Sequence, residues 1–408
     1  MNHPISANLP LRQALDFSLE RTRQNLAQLT SFPELTQGDH WECVEDGGWV
    51  GGHWVGLLWL AFAHTGDAAL EAAARQWAAR LAPRQDDTTT HDLGFLFELS
   101  HVLGARLTGD LSLKAPALAA AQTLTCRFNP HGRFFQAWRP LDAPAEFRGR
   151  TIVDTLMNLS LLFWASRESG KPSYGDMAIA QAHTSLAHHV RPDWSTSHVA
   201  DFNPDTGEFL KQDTHQGLSA TSCWSRGQAW AVYGYGECFR NTGDATFLNA
   251  SRHLAEYCLR RLPADHVPYW DYDSPLIPDD IRDSSAAAIL ASGLLGLSTL
   301  DPDADKAARW RSVAVRILES LWQNYSSRGA QEPSILLHGT RSKPHNLMDH
   351  GLIYGDYYFV EALSRLLIPD GMQFPHQDPE NQFAANRITH AGSQNHNLDS
   401  GCVLWAAR

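Results

Sequence analysis

Two aspartates stand at the start of helical patterns and could do proton-transfer chemistry: Asp92 in His91-Asp92-Leu93-Gly94, and Asp154 in Thr151-Ile152-Val153-Asp154. Two carboxyls that share one site cannot both ionise freely. One is then expected to keep its proton toward neutral pH, which suits general acid and base work on a glycosidic substrate. Trp49, His53 and Trp54 open another helical pattern, and Trp224-Ser225-Arg226 opens a further one. Indole faces stack on the apolar faces of sugar rings with little side-chain freedom to lose. Converging helix N-termini favour an anionic group such as a sugar carboxylate. Each residue also has a plainer reading. Asp92 could cap its helix, Thr151 with Asp154 resembles a capping box, the tryptophans could be core, and Arg226 could be a salt-bridge partner. Their joint placement favours a carbohydrate site.

Other chemistries lack their marks. There is no Gly-x-x-x-x-Gly-Lys-Ser/Thr, Gly-x-Gly-x-x-Gly, His-Glu-x-x-His or Gly-x-Ser-x-Gly, so nucleotide, zincin and serine-hydrolase readings lose their support. Twenty histidines invite a metal, but His183, His188 and His189 do not share the i, i+4 face a metal needs. No metal is expected. Asp201, Asn203, Asp205 and Gly207 superficially resemble a calcium loop, but Thr206 occupies the required glycine position and Gln212 the terminal glutamate, so a polar turn is the better reading.

The elements that would position these groups repeat. Thr65-Gly66-Asp67, Thr108-Gly109-Asp110 and Thr242-Gly243-Asp244, with Ser169-Gly170-Lys171-Pro172 as a looser copy, each separate two helical patterns. The glycine suits a left-handed helix end and the following residues suit the next N-cap. With these anchors the periodicity predicts twelve helices, near 11–30, 52–65, 67–82, 93–107, 112–126, 151–167, 173–190, 225–241, 244–262, 284–300, 303–324 and 353–368. Six hairpins with little strand signal predict an all-α (α/α)6 barrel, with an open solenoid as the competitor. Even-numbered helices would form the inner ring. Long connections at 127–150, 191–224, 263–283 and 325–352 should gather on one rim and carry function. Residues 1–369 read as one catalytic domain and 370–408 as a polar tail onto which no structure is forced.

Composition narrows the partners. The 408 residues carry 33 Lys plus Arg against 45 Asp plus Glu, a formal charge of −12, and show no basic run, so no nucleic acid is expected. That charge also opposes long-range capture of an anion, leaving local Arg and His to do it. The most apolar run, Trp54 to Ala63, is too short to span a membrane. No apolar signal stretch is evident near Met1 and the six cysteines are widely spaced, which together read as a cytoplasmic, reducing setting. Nothing in the sequence specifies an oligomeric state.

Many separated segments resemble glycoside hydrolase family 88, the unsaturated glucuronyl hydrolases. They include Trp49 to Trp54, Leu58-Trp59-Leu60-Ala61, His91-Asp92-Leu93-Gly94-Phe95, Thr151-Ile152-Val153-Asp154 with Met157-Asn158-Leu159, and Ser195-Thr196-Ser197-His198-Val199. Thr214-His215-Gln216-Gly217, Ser222 to Trp230, Pro268-Tyr269-Trp270-Asp271, Arg282 to Ala286 and Tyr354-Gly355-Asp356-Tyr357-Tyr358 continue the match in order. His53 departs from it, standing where an aromatic residue is expected.

The resemblance implies an (α/α)6 barrel acting without metal or organic cofactor. Its substrate would be a lyase-generated oligosaccharide, glycosaminoglycan-type or related, whose non-reducing uronic acid carries a C4=C5 double bond. The vinyl ether is hydrated, and the hemiketal so formed rearranges and releases the adjoining sugar. Asp154 matches the general acid and base and Asp92 the second essential carboxylate. His198, Gln216, Trp224 and Arg226 match substrate contacts, with Trp54 or Trp49 as stacking platform. An unsaturated rhamnogalacturonyl hydrolase and a non-catalytic sugar-binding barrel are the alternatives; Gln228-Ala229-Trp230 favours the glucuronyl branch. The leaving sugar stays open between sulfated hexosamines and plain sugars.

Overall fold

In the computed structural model, which describes residues 9–367, the Thr-Gly-Asp triplets turn the chain as their residue types dictate. Gly66, Gly109 and Gly243 adopt φ of 65°, 71° and 70°, the left-handed region open to glycine. Asp67, Asp110 and Asp244 accept the N–H of Ala69, Ser112 and Thr246. The Thr65, Thr108 and Thr242 hydroxyls donate to carbonyls four residues back and accept from the Asp N–H. Each turn thus satisfies the backbone groups that two helix ends leave open.

The chain runs α1 (Leu9–Gln28), β1 (Phe32–Gln37), β2 (His40–Val44), α2 (Gly51–Thr65), α3 (Ala68–Leu81), α4 (Leu93–Phe97), α5 (Leu103–Thr108) and α6 (Lys114–Thr125). Then come β3 (Phe128–Asn129), β4 (Phe134–Phe135), α7 (Ala145–Arg148), β5 (Arg150–Ile152), α8 (Thr155–Ser169) and α9 (Pro172–His188). β6 (Val199–Phe202), β7 (Phe209–Asp213), α10 (Ser225–Thr242), α11 (Ala245–Arg261), α12 (Ser284–Leu300), α13 (Ala304–Asn324) and α14 (Ile353–Leu367) complete it. A π-helical turn, Glu98–Val102, joins α4 and α5 into one rod. There the Trp59 indole N–H donates to the Ser100 carbonyl at 2.7 Å.

Rods α2, α4–α5, α8, α10, α12 and α14 pack each on the next, and α14 returns to α2, so the inner ring is closed. An open solenoid lacks that closure. Helices α3, α6, α9, α11, α13 and α1 lie outside it, each against an inner partner. Burial follows the rings: α2 is buried from Gly51 to Ala61 and α12 from Ser284 to Leu297 on every side. Outer α13 buries one face, with Trp310, Val313, Ala314, Ile317, Leu318 and Leu321 along it, as an amphipathic helix should. Inside the ring Glu361 accepts from Tyr233 of α10 at 3.1 Å and Tyr357 at 3.3 Å, and from Ser292 of α12.

Inner helices meet almost backbone to backbone. A Cβ on Gly94 would lie 2.4 Å from Asn158 Cα and 2.8 Å from its carbonyl oxygen. Gly94→Ala must therefore push α4 off α8, and we expect a loss of about 1–3 kcal/mol of stability, read as a lower Tm in thermal melts.

Strands are more numerous than the periodicity suggests. β3–β4 and the antiparallel sheet β5–β6–β7 lie in the connections 127–150 and 191–224, except that β5 runs through Ile152 into the helix expected from 151, which starts at Thr155 instead; hairpin β1–β2 occupies a stretch with no strand expectation. They are two to six residues long, too short for an alternation to show. The supposed calcium loop is the β6–β7 turn: Asn203 accepts the N–H of Asp205 and Thr206, Gly207 has φ 75°, and Asp201 pairs with Arg150. Among the described residues no helix is long and apolar enough to cross a membrane. The tail 370–408 lies outside the described residues.

Candidate active site

Four inner-helix starts open into one cleft of about 200 Å³, lined by Trp49, Asp92, Phe95, Trp138, Ile152, Asp154, His215, Gln216, Arg226 and Arg341. Another cavity, of about 220 Å³, lies between α8, α9, α10 and α11 and is lined by Phe163, Ile179 and Phe247. It holds none of the expected site residues.

Neither carboxyl is a cap. Asp92 and Asp154 occupy the N-cap positions of α4 and α8, yet neither side chain bonds its own helix, whereas Asp283 and Asp303 do cap theirs. Capping is the ordinary use of Asp there; these two are withheld from it and face the cleft. Burial pushes the Asp154 carboxyl up to about 7, the charge of Asp92 adds to the rise, and Arg226 opposes it. Like-charge repulsion is the expected cause from sequence, but desolvation outweighs it, because Asp154 is only 9% exposed.

His198 is buried with Nε2 3.6 Å from Asp154 Oδ2, too far for a hydrogen bond. Its Nδ1 accepts the N–H of His215 at 3.1 Å and of Gln216 at 3.2 Å, so the ring's hydrogen sits on Nε2, toward Asp154. Burial, followed by the neighbouring His215, His189 and Arg226, drives its pKa well below the ordinary value. His198 is a neutral donor and not the cation expected for anion capture.

The positive charge comes from arginine. Arg226 is buried on α10, its Nη1 donating to Asp283 Oδ2 and the Thr340 carbonyl at 2.6 Å each and its Nη2 to the Arg341 carbonyl at 2.6 Å. Gln216 Nε2 donates to that same carbonyl at 3.0 Å. Arg341 itself pairs with Glu34 of β1 at 2.7 Å, which gives the unexpected β1–β2 hairpin a place in the site.

Three expected contacts do not line the cleft: His198, Trp54 and Trp224. Trp54 is fully buried, edge-on to Trp77 of outer helix α3 at 5.8 Å, because its position on α2 points it between the rings. Trp49, just before α2, lines the cleft in its stead, against Tyr354 at 5.0 Å and Phe95 at 5.5 Å. Trp224 is 3% exposed and lies behind the site, its ring 4.7 Å from His198 and 4.5 Å from the Arg226 guanidinium carbon. It supports the groups it was expected to accompany. His53, the departure from the aromatic pattern, is buried among Phe95, Tyr354, Tyr357 and Tyr358, and burial lowers its pKa to about 3. It packs as a neutral ring.

Trp138 and Arg341 were not anticipated. Both lie on the long connections 127–150 and 325–352, which were expected at the functional rim, but no spacing within those loops singles them out. Trp138 meets His215 at 5.1 Å, and His215 meets His345 at 4.6 Å, forming an aromatic wall beside the two carboxyls. Such a wall, a buried protonated acid and a fixed guanidinium can hold a sugar acid and deliver a proton to it.

Known proteins share the architecture. The profile of Glycosyl Hydrolase Family 88 matches residues 20–305. The unsaturated glucuronyl hydrolase of Bacillus sp. (strain GL1) is 36% identical over 363 residues, covering 87% of this chain and 96% of that protein. An unsaturated chondroitin disaccharide hydrolase of Streptococcus pyogenes serotype M1 is 35% identical, with coverages of 87% and 90%. The crystal structure of the Bacillus sp. GL1 enzyme superposes with a TM-score of 0.84 at 35% identity, over 88% of this chain and 97% of the other. With a profile match over most of its length and relatives of this similarity aligned almost end to end, the chain belongs to glycosyl hydrolase family 88.

Proposed function

We propose that this chain removes the non-reducing, C4=C5-unsaturated glucuronic acid from lyase-generated oligosaccharides by hydrating the vinyl ether. The observation that carries the reading is a buried Asp154 whose proton is held to about pH 7 beside Asp92 in one aromatic-walled cleft. Asp154 protonates C4, and water activated by the same pair of carboxyls adds at C5. The C4=C5 bond is replaced by C4–H and C5–OH, and the resulting hemiketal rearranges and releases the adjoining sugar. Asp92 holds substrate hydroxyls. Arg226 and Arg341 set the positive field for the uronate carboxylate. His198 offers its Nε2–H to the substrate, and Gln216 orders the loop that carries Arg341. Trp49 and Trp138 are the stacking surfaces.

The names of the relatives cover both glucuronyl and chondroitin disaccharide hydrolysis, and we place this chain among enzymes of glycosaminoglycan-type substrates. A panel of unsaturated disaccharides, sulfated and unsulfated, tests the reading through loss of the vinyl-ether absorbance. Turnover of at least one, abolished when Asp154 is replaced, is the expected result. No turnover of any member by folded protein would refute it.

A further inference from the structure

We propose that Asn158 is a positioning residue that frees Asp92 from helix capping and holds it as the charged partner, so that the proton of the pair rests on Asp154. The proposal rests on the two-carboxylate reading above. Asn158 lies one helical turn beyond Asp154 on α8, on the same face, and is fully buried.

Its side chain reaches across to α4. Oδ1 accepts the Phe95 N–H at 3.0 Å, and Nδ2 donates to Asp92 Oδ1 at 3.4 Å. Phe95 is the third residue of α4, and its N–H is the one an N-cap side chain ordinarily takes. A residue from another helix therefore performs the capping that Asp92's own position calls for. The amide has one workable orientation, because a flip would set its NH2 against the Phe95 N–H and its oxygen against the carboxylate. Gly94 makes the approach possible, since any larger residue would meet Asn158 Oδ1 at 2.7 Å.

The two carboxyls are thereby made unlike. Asp92 receives donors on both oxygens: Asn158 Nδ2 on Oδ1, and the Thr90 hydroxyl on Oδ2 at 3.2 Å. Hydrogen bonds to the charged form favour it. The other groups facing Asp92 are His91, whose Nε2 lies 3.5 Å from Oδ1 and which burial keeps neutral, Arg127, and Asp154. Asp154 Oδ2 is buried and has no hydrogen-bond partner among the described residues. The groups that face it are Asp92, Arg226, His198 and Trp230. Arg226 and Trp230 favour its charged form, but burial outweighs them, so the pair's proton settles there.

The test is the pH dependence of kcat and KM on an unsaturated disaccharide, for Asn158→Ala and Asn158→Asp. The first removes both contacts; the second keeps an acceptor for the Phe95 N–H but turns a carboxyl oxygen toward Asp92 in place of the donor, so like-charge repulsion adds to the lost hydrogen bond. Asn158→Ala should lower kcat by about tenfold or more with KM changed by less than about twofold, because the proton then visits Asp92. In both variants the acid-side limb of the kcat profile should move up by about one pH unit. If Asn158→Ala does not fold, Asn158→Ser, which is too short to donate to Asp92 and adds no charge, decides in its place. Limbs at the wild-type positions in folded variants, or a loss carried by KM alone, would overturn the proposal. Failure of the functional reading looks different, because the wild-type enzyme itself would then not turn over the disaccharide.

Discussion

Asp154→Asn should lower kcat by about 10²- to 10⁴-fold in an enzyme that still folds, because it removes the carboxyl of the cleft that keeps its proton toward neutral pH. Its carboxyl is held up to about 7 by burial first and Asp92 second. Wild-type activity should therefore fall as pH rises through about 7, where the acid loses its proton. Stability should follow the same group with a defined sign. The native state binds this proton more tightly than the unfolded chain does, so its stabilising contribution is present below the ordinary carboxyl range and is lost as pH rises through about 7. Above that pH the wild type carries a charge in a desolvated site, and the Asn variant does not. At pH 8 the variant should melt several degrees higher than the wild type, with the difference shrinking toward pH 4. Asp356, also pushed up to about 7 by burial, is present in both proteins and cancels from the comparison. Asp92→Asn should be comparably inactive, and the double variant no worse than either, since the two groups act as a unit. Near wild-type turnover in folded Asp154→Asn would exclude Asp154 as the acid, and a lower Tm at pH 8 would exclude the buried charge as the cause of its raised pKa.

Saturated glucuronides should be inert even where they bind. Direct displacement at the anomeric carbon needs an acid beside the glycosidic oxygen and a second carboxylate acting across the ring. In this cleft both carboxyls stand at adjacent inner-helix starts, α4 and α8, and Asn158 of α8 reaches across to Asp92. Hydration needs instead a proton delivered to C4, which only the unsaturated ring can accept. In heavy water the uronate product should carry deuterium at C4, and in oxygen-labelled water the new oxygen should appear at C5, both readable by mass spectrometry and NMR. Saturated glucuronides cleaved at a comparable rate, or a product without C4 deuterium, would sink hydration while leaving a carbohydrate site standing.

What the amino-acid sequence determines by itself is whatever is decided within a few residues of chain. The Thr-Gly-Asp turns are legible because the left-handed glycine, the capping Asp and the threonine hydroxyl bond one another locally. Twelve helical patterns follow from apolar periodicity, and six hairpins closing into two rings follow from their regular alternation. Asp92 and Asp154 are legible as acidic residues at helix starts for the same reason. Their use is not, because every Asp at such a place has the local makings of a cap. What withdraws Asp92 from capping is Asn158 on a different helix, taking the Phe95 N–H across a glycine-thin contact. The same holds for the tryptophans. Trp49 and Trp54 are five residues apart in one motif, and only the stacking of rings sends the first to the cleft and the second against Trp77. His198 appears in sequence as a potential cation; burial and the two backbone donors on Nδ1 make it a neutral one. Arg341 had no local mark at all, since its position depends on Glu34 in a hairpin some three hundred residues earlier. Periodicity and capping are short-range and are written in the chain, whereas desolvation, and the choice of hydrogen-bond partner for a buried polar group, exist only once distant segments have closed around it.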